Sequence, residues 1–295
     1  MMLERRTILA VDDTVANLDI IVDLLKDFDV IEATGGPEAL EIVAEEAIDL
    51  ILLDIMMPEM DGYTVCRKLK QNEKTKDIPI IFITARTEED AIEKAYDEGG
   101  VDYVTKPFKP KELLARVKIQ LEHQEMIEKL EFLASYDAMT GIYNRRKFFE
   151  LAKRKFAENP DNLYAAMLDI DKFKHINDSY GHAVGDMVIK AVTRVIAENI
   201  EPDSIFGRLG GEEFAIICRH SDEVCVVEKL ELLRKKVEEL KIELVGGELV
   251  GCTISEGVAA ADASTRTLDE LLHRADEMLY KAKGSGRNRT IFRLR

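Results

Sequence analysis

The stretch Leu50-Ile51-Leu52-Leu53-Asp54-Ile55 decides how the first half of the chain is read. It is a strongly apolar run around one carboxylate, and it reads as a strand. Outward from it, short apolar runs alternate with amphipathic stretches. Residues 7–11, 30–33, 79–84 and 103–104 supply further strands. Residues 17–28, 37–46, 64–70, 88–98 and a stretch starting near Pro110 supply helices. Five βα units in succession predict a doubly wound α/β architecture, a parallel sheet covered on both faces.

Residues with chemistry collect at the carboxyl ends of these strands, where open parallel sheets bind ligands. Asp12 and Asp13 follow the first strand, and Asp54 falls at the end of the third. Thr84 closes the fourth, and Lys106 follows the fifth in Lys106-Pro107-Phe108. Three acids alone would repel one another, so a hard divalent cation such as magnesium is implied. A hydroxyl and an ammonium on the same edge can hold a phosphoryl group on Asp54.

The chain has 295 residues, enough for two domains of ordinary size. Hydrophobic residues make up 46% and charged residues 33%, so each domain can bury a core. The formal net charge of -16 argues against binding nucleic acid by charge and against acidic membranes. Cys66, Cys218, Cys225 and Cys252 form no CxxC pair and read as reduced thiols. No signal-peptide pattern opens the chain, and no apolar run approaches a bilayer span. The expectation is a cytoplasmic protein without a membrane or nucleic-acid partner.

Residues 111–136 contain no strand and no breaker. A helix of about 25 residues is roughly 37 Å long, too long to be only the last helix of the first domain. Leu113, Val117, Gln120, Gln124, Ile127, Leu130 and Ala134 lie near a 3-4 spacing and predict a seam, imperfect at its two Gln residues, for pairing with a second copy; the alternative is a solvated single helix with one stripe docked on a domain. Beyond Asp137 the pattern becomes α+β. Strands are expected at 164–168, 205–208, 213–218 and 252–259, with a hairpin turn in Arg208-Leu209-Gly210-Gly211-Glu212-Glu213-Phe214. Asp169 and Asp171 end the first of these strands, and Glu212 and Glu213 begin the third. If the two strands are neighbours, Asp169 and Glu212 meet at one edge, an arrangement suited to magnesium and phosphates.

The first half, over about residues 5–122, resembles the receiver domain of two-component response regulators. The resemblance implies that a histidine kinase supplies the phosphoryl group and that Asp54 accepts it. It implies magnesium at Asp12, Asp13, Asp54 and the Met56 carbonyl, Thr84 and Tyr103 as a switch pair, and Lys106 as the phosphate partner. A new phosphoryl charge would draw Thr84 inward and let Tyr103 fill the vacated space.

The second half resembles a GGDEF-type diguanylate cyclase, in its GGEEF form, over about residues 135–292. The stretches that carry this are Asp137-Ala138-Met139-Thr140-Gly141-Ile142-Tyr143-Asn144-Arg145-Arg146, the segment 169–186 from Asp169-Ile170-Asp171-Lys172-Phe173-Lys174 to Gly181-His182-Ala183-Val184-Gly185-Asp186, the turn Gly210-Gly211-Glu212-Glu213-Phe214, and Tyr280-Lys281-Ala282-Lys283-Gly284-Ser285-Gly286-Arg287-Asn288. Met139 stands where the family usually has Leu. The resemblance implies a magnesium site at Asp169, the Ile170 carbonyl, Glu212 and Glu213, with Glu212 also assisting deprotonation of the ribose 3′-hydroxyl. It implies guanine reading by Asn177 and Asp186 with His182 in the same pocket, further substrate contacts at Phe173, Gly210 and Gly211, and triphosphate neutralisation by Lys174, Lys283 and Arg287. An ionised Asp186 suits the paired N–H donors of guanine, which adenine lacks, and so favours strict use of GTP. Glu201-Pro202-Asp203-Ser204 stands where many members carry an Arg-x-x-Asp product-inhibition motif, so feedback inhibition there is expected to be weak or absent.

The expected organisation is a receiver at 1–122, a helical, coiled-coil linker at 110–136 overlapping its last helix, and a palm-like α+β GGDEF domain at 137–295. The expected activity joins two GTP into cyclic di-GMP in a homodimer. The competing readings are a catalytically inactive effector that binds GTP or cyclic di-GMP, and a transcriptional regulator. Asp169, Glu212, Lys174 and Lys283 are all present, against the first, and no basic DNA-reading element follows the receiver, against the second.

Overall fold

A computed structural model describes residues 5–84, 89–244 and 246–293. The chain divides into two compact units, Met1–Glu128 and Lys129–Arg295.

In the first unit, β1 (Thr7–Val11), α1 (Val15–Leu24), β2 (Asp29–Ala33), α2 (Gly36–Glu45), β3 (Leu50–Asp54), α3 (Gly62–Lys70), β4 (Ile80–Thr84), α4 (Glu89–Asp97), β5 (Asp102–Thr105) and α5 (Pro110–Ser135) alternate. The strands are parallel in the order β2-β1-β3-β4-β5. Every residue of β3 is buried. Ile51 and Leu53 enter the core on one face, and Leu50 and Leu52 the core on the other. A strand covered on both faces needs apolar side chains in both directions, which is why its sequence does not alternate. The strand order reverses direction between β1 and β3, and the crevice at such a switch point is where ligands bind.

Helix starts moved by a turn or less from their expected places. α3 begins at Gly62 rather than Thr64, because the Asp61 side chain accepts the Thr64 N–H at 2.8 Å and caps the helix. The expected start of the next helix, Glu88, lies outside the described residues.

α5 divides the expected seam, with Leu113 and Val117 buried and Ile127 and Leu130 exposed. Leu113, Val117 and Leu121 form its buried stripe and join the core beneath β1, β3 and β4. This four-residue spacing is set by packing against the sheet of its own unit, so Gln120 lies outside the stripe. Farther along, Ile119, Met126, Leu130 and Leu133 are exposed. Their 7-4-3 spacing marks an apolar line that shares Leu130 with the seam read in the sequence.

The second unit contains β6 (Tyr143–Asn144), α6 (Arg145–Glu158), β7 (Leu163–Ile170), α7 (Phe173–Tyr180), α8 (His182–Ala197), β8 (Ile205–Gly210), β9 (Glu213–Arg219), α9 (Glu223–Glu239), β10 (Ile242–Glu243), β11 (Leu249–Val250), β12 (Ile254–Ala260), α10 (Leu268–Gly284) and β13 (Thr290–Arg293). Its main sheet runs β13-β12-β7-β9-β8-β6, with β7 antiparallel to both β9 and β12. This is the expected α+β arrangement. The sequence did not announce β6, β10, β11 and β13; each is short and is defined by its partner strand. Among the described residues, no helix is long and apolar enough to cross a membrane.

Candidate functional sites

At the β1/β3 switch point, carboxylate oxygens of Asp12, Asp13 and Asp54 lie within 4.8 Å of one another. Asp12 and Asp54 are buried and Asp13 is exposed. The Lys106 ammonium reaches Asp12 Oδ2 at 2.7 Å and Asp54 Oδ2 at 2.6 Å. Burial pushes the Asp54 carboxyl above its usual range, and the bond from Lys106 opposes that. Burial works to lower the Lys106 pKa, but the bonds to Asp12 and Asp54 outweigh it and leave it raised. The Met56 N–H donates to Asp54 Oδ1 at 3.3 Å. The Lys106 N–H donates to the Thr84 carbonyl at 2.8 Å, and the Lys106–Pro107 peptide is cis. Thr84 is buried at the end of β4, whose register pairs it with Thr105 and pairs Phe82 with Tyr103. Tyr103 is half-buried, meets the Tyr96 ring edge-on at 6.3 Å and lies under the Arg116 guanidinium at 5.5 Å. The sequence reading missed Asn17, whose Nδ2 donates to Asp12 Oδ1 at 2.9 Å and orients that carboxylate.

In the second unit, the register places Asp169 of β7 directly opposite Glu213 of β9. The Ile170 N–H donates to the Glu212 carbonyl at 3.3 Å, so the Gly-Gly-Glu-Glu turn is tied to the end of β7. Lys283, in the last turn of α10, holds Asp169 Oδ2 at 2.7 Å. Burial raises the Asp169 pKa, opposed by the bond from Lys283. Gly210 and Gly211 have φ of 156° and 50°, and the space where side chains would stand is open. A turn of this shape favours glycine and leaves backbone free for a close ligand. Arg287 is exposed in the turn after α10, and Lys174 is exposed on α7.

Asn177, His182 and Asp186 fall on the paired helices α7 and α8, with His182 and Asp186 exposed. Gly185 is what joins them: a Cβ there would stand 1.9 Å from Asn177 Oδ1, so the carboxamide lies against the Gly185 backbone, beside Asp186. Sequence reading passed over Gly185, although a glycine inside a helix is itself a signal of close approach. The Phe173 side chain is buried in the main core of the unit.

Arg208 is a further residue the sequence did not expose. It donates to the Gly211 carbonyl at 2.9 Å and pairs with Asp137 at 3.0 Å. Asp137 in turn accepts from the Thr140 N–H and hydroxyl. The glycine turn is thereby fastened to the segment that follows α5. In the region of the missing Arg-x-x-Asp motif, Glu201 pairs with Lys229 of α9 and Asp203 with Lys155 of α6.

Two family models match the chain. Residues 8–118 match the response regulator receiver domain, and residues 134–289 match the family described as diguanylate cyclase, GGDEF domain. Fold and sites therefore define a response regulator that joins a receiver to a GGDEF domain. The chain belongs to the GGDEF diguanylate cyclase family. It is 32% identical over 269 residues to the response regulator PleD of Caulobacter vibrioides, across 87% of this chain and 59% of PleD. It is 34% identical over 173 residues to the diguanylate cyclase DgcM of Escherichia coli K12, across 58% of this chain and 41% of DgcM. The chain thus spans about three fifths or less of the length of these relatives. Among solved structures, the coiled coil and GGDEF domain of DgcB from Caulobacter crescentus in complex with c-di-GMP aligns at a TM-score of 0.56 and 31% identity, across 62% of this chain and 98% of that one.

Proposed function

We propose that this chain is a phosphorylation-controlled diguanylate cyclase that condenses two GTP into cyclic di-GMP and two pyrophosphates as a homodimer. The observation that carries the reading is the meeting of Asp169, Glu212, Glu213 and Lys283 at one edge of the β7/β9 pair. Asp169, Glu212 and Glu213 with the Ile170 carbonyl would offer an all-oxygen donor set, which fits magnesium, as does the Asp12, Asp13 and Asp54 cluster in the receiver. These residues would hold magnesium there, and the ion would supply charge neutralisation on the triphosphate.

Lys283, Arg287 and Lys174 are the cations that meet the remaining phosphate charge. Asn177 and Asp186 read the guanine edge. Glu212 accepts the proton of the ribose 3′-hydroxyl. A bond forms from that oxygen to the α-phosphorus of the second GTP, the bond to pyrophosphate breaks, and the step repeats in the other direction. Each domain holds one GTP, so the rate depends on bringing two domains face to face. In the receiver, a histidine kinase supplies the phosphoryl group, Asp54 receives it, and Thr84, Tyr103 and Lys106 respond.

The test is incubation of the whole chain with GTP and magnesium, with cyclic di-GMP measured directly. Product should form, and Glu212→Gln should lower the rate by roughly a hundred-fold or more. A fully active Glu212→Gln variant would overturn the assignment.

A further inference from the structure

We propose that Asp171 is a positioning residue whose carboxylate fastens the turn bearing Arg287 to the strand edge that carries Asp169. The inference rests on the reading of Arg287 as a cation for the triphosphate.

Asp171 is only 7% exposed, and among the described residues it forms no ion pair. A buried carboxylate without a cation must be satisfied by donors. Here the donors are the Ser255 hydroxyl to Oδ1 at 2.6 Å, the Thr253 hydroxyl to Oδ2 at 2.7 Å, and the Asn288 N–H to Oδ2 at 2.9 Å. The Asp171 N–H donates to the Thr253 carbonyl at 2.9 Å, which fixes the carboxylate relative to the sheet. Its oxygens are thus committed to protein donors. Asp169, two residues earlier, is held by Lys283 alone among the described side chains. The two acids of Asp169-Ile170-Asp171 therefore divide the work: the first faces the reaction and the second builds the floor beside it.

The tethered segment needs such an anchor. Gly286, Arg287 and Asn288 have φ of 114°, 66° and 45°, so two non-glycine residues in succession take the left-handed region. That conformation persists only where surrounding contacts enforce it. The Arg287 N–H is held by the Ala282 carbonyl at 3.0 Å on one side, and the next N–H, that of Asn288, is held by Asp171. The Asn288 side chain adds bonds to Glu238 and from Arg234, both at 2.7 Å. Arg287 is bracketed between these ties, on the same end of α10 as Lys283. Pre-ordering the turn spares the long arginine part of the entropy lost on meeting phosphate.

The experiment uses the whole chain with magnesium and two readouts: kinetics with GTP, and competitive inhibition by inorganic tripolyphosphate, which carries no base. Asp171→Ala should raise KM for GTP and weaken tripolyphosphate inhibition by roughly ten- to hundred-fold, with a smaller change in kcat. In the Arg287→Ala background, Asp171→Ala should add little, because one residue acts through the other. Unchanged tripolyphosphate inhibition in Asp171→Ala, or losses that multiply in the double variant, would overturn the proposal. An Arg287→Ala variant with normal inhibition would instead remove the underlying reading of Arg287. If Asp171→Ala does not fold, Asp171→Asn takes its place in the same cycle. Its single carbonyl oxygen cannot serve all three donors as the carboxylate does, and its effect must likewise vanish in the Arg287→Ala background.

Discussion

Glu256 lies in the middle of β12 with no exposed surface. The Thr290 hydroxyl of β13 donates to its Oε2 at 2.8 Å, and its Oε1 has no hydrogen-bond partner among the described residues. Burial pushes its pKa up to about 8; the Thr290 bond opposes this, Glu231 of α9 adds to it and Arg234 of α9 lowers it. The folded chain keeps this proton up to about pH 8, whereas the unfolded chain releases it near the ordinary carboxylate range. Between those values the folded state binds more protons, so this group lowers stability as pH rises, by roughly 5 kcal/mol at most. Thermal unfolding across pH 5 to about 8 should show Glu256→Gln stabilising the protein increasingly toward the alkaline end. A benefit independent of pH would exclude titration of Glu256 as the cause. Gly185 makes a second test at this scale. Ala at this position displaces the flexible end of Asn177 rather than backbone, so the protein should fold while kcat/KM for GTP falls about ten-fold. Unaltered GTP kinetics in Gly185→Ala would mean that the Asn177 carboxamide does not need its present seat. Asp12, Asp54 and Asp169 were legible because each ends an apolar run. Arg208, Asp171 as a tether and Glu256 were not, because their partners stand 71, 117 and 34 residues away.

At the scale of elements, α5 has two halves with different obligations. Leu113, Val117 and Leu121 belong to the receiver core, and Leu113→Ala should cost about 2–5 kcal/mol of stability in that unit. Ile119, Met126, Leu130 and Leu133 have no such role. Replacing Leu130 and Leu133 together by Ser should leave the melting temperature nearly unchanged while lowering both cyclase activity and the fraction of dimer seen by light scattering. Normal activity and mass in that variant would rule out this line as the pairing surface. The sequence announced a long helix correctly, since helical period and absence of breakers are local properties. It did not show that Leu113 and Val117 dock within their own unit while Ile127 and Leu130 stay exposed, because which stripe is buried depends on the sheet the helix lies against. Short β6, β10, β11 and β13 were unreadable for the same reason: a two- to four-residue strand is created by its neighbour's hydrogen bonds.

At the scale of the whole molecule, a receiver and a GGDEF domain share one chain, and α5 runs from Pro110 to Ser135 across the division at Glu128. Control of one by the other is a coupling free energy, and couplings of this kind commonly change activity by roughly five- to hundred-fold. If Asp54 is the phosphoryl acceptor, beryllofluoride, a mimic of acyl phosphates, should raise cyclase activity by an amount in that range. Asp54→Asn should abolish the response and keep the basal rate. An unresponsive wild-type chain would sink phosphorylation as the control.

The sequence by itself determined the doubly wound and α+β sheets and the placing of Asp12, Asp54 and Asp169 at strand ends. These follow from local signals: apolar runs, their punctuation, and charged residues at strand ends. Tertiary structure alone decided which side of α5 is buried, that Phe173 is core, and that Asn177 rests on Gly185. It also decided that Asp171 anchors the turn carrying Arg287 while Asp169 faces Lys283. The difference is physical. A strand end is written in a few consecutive residues, but a hydrogen bond across the sheet is written only by the packing that brings two distant segments together.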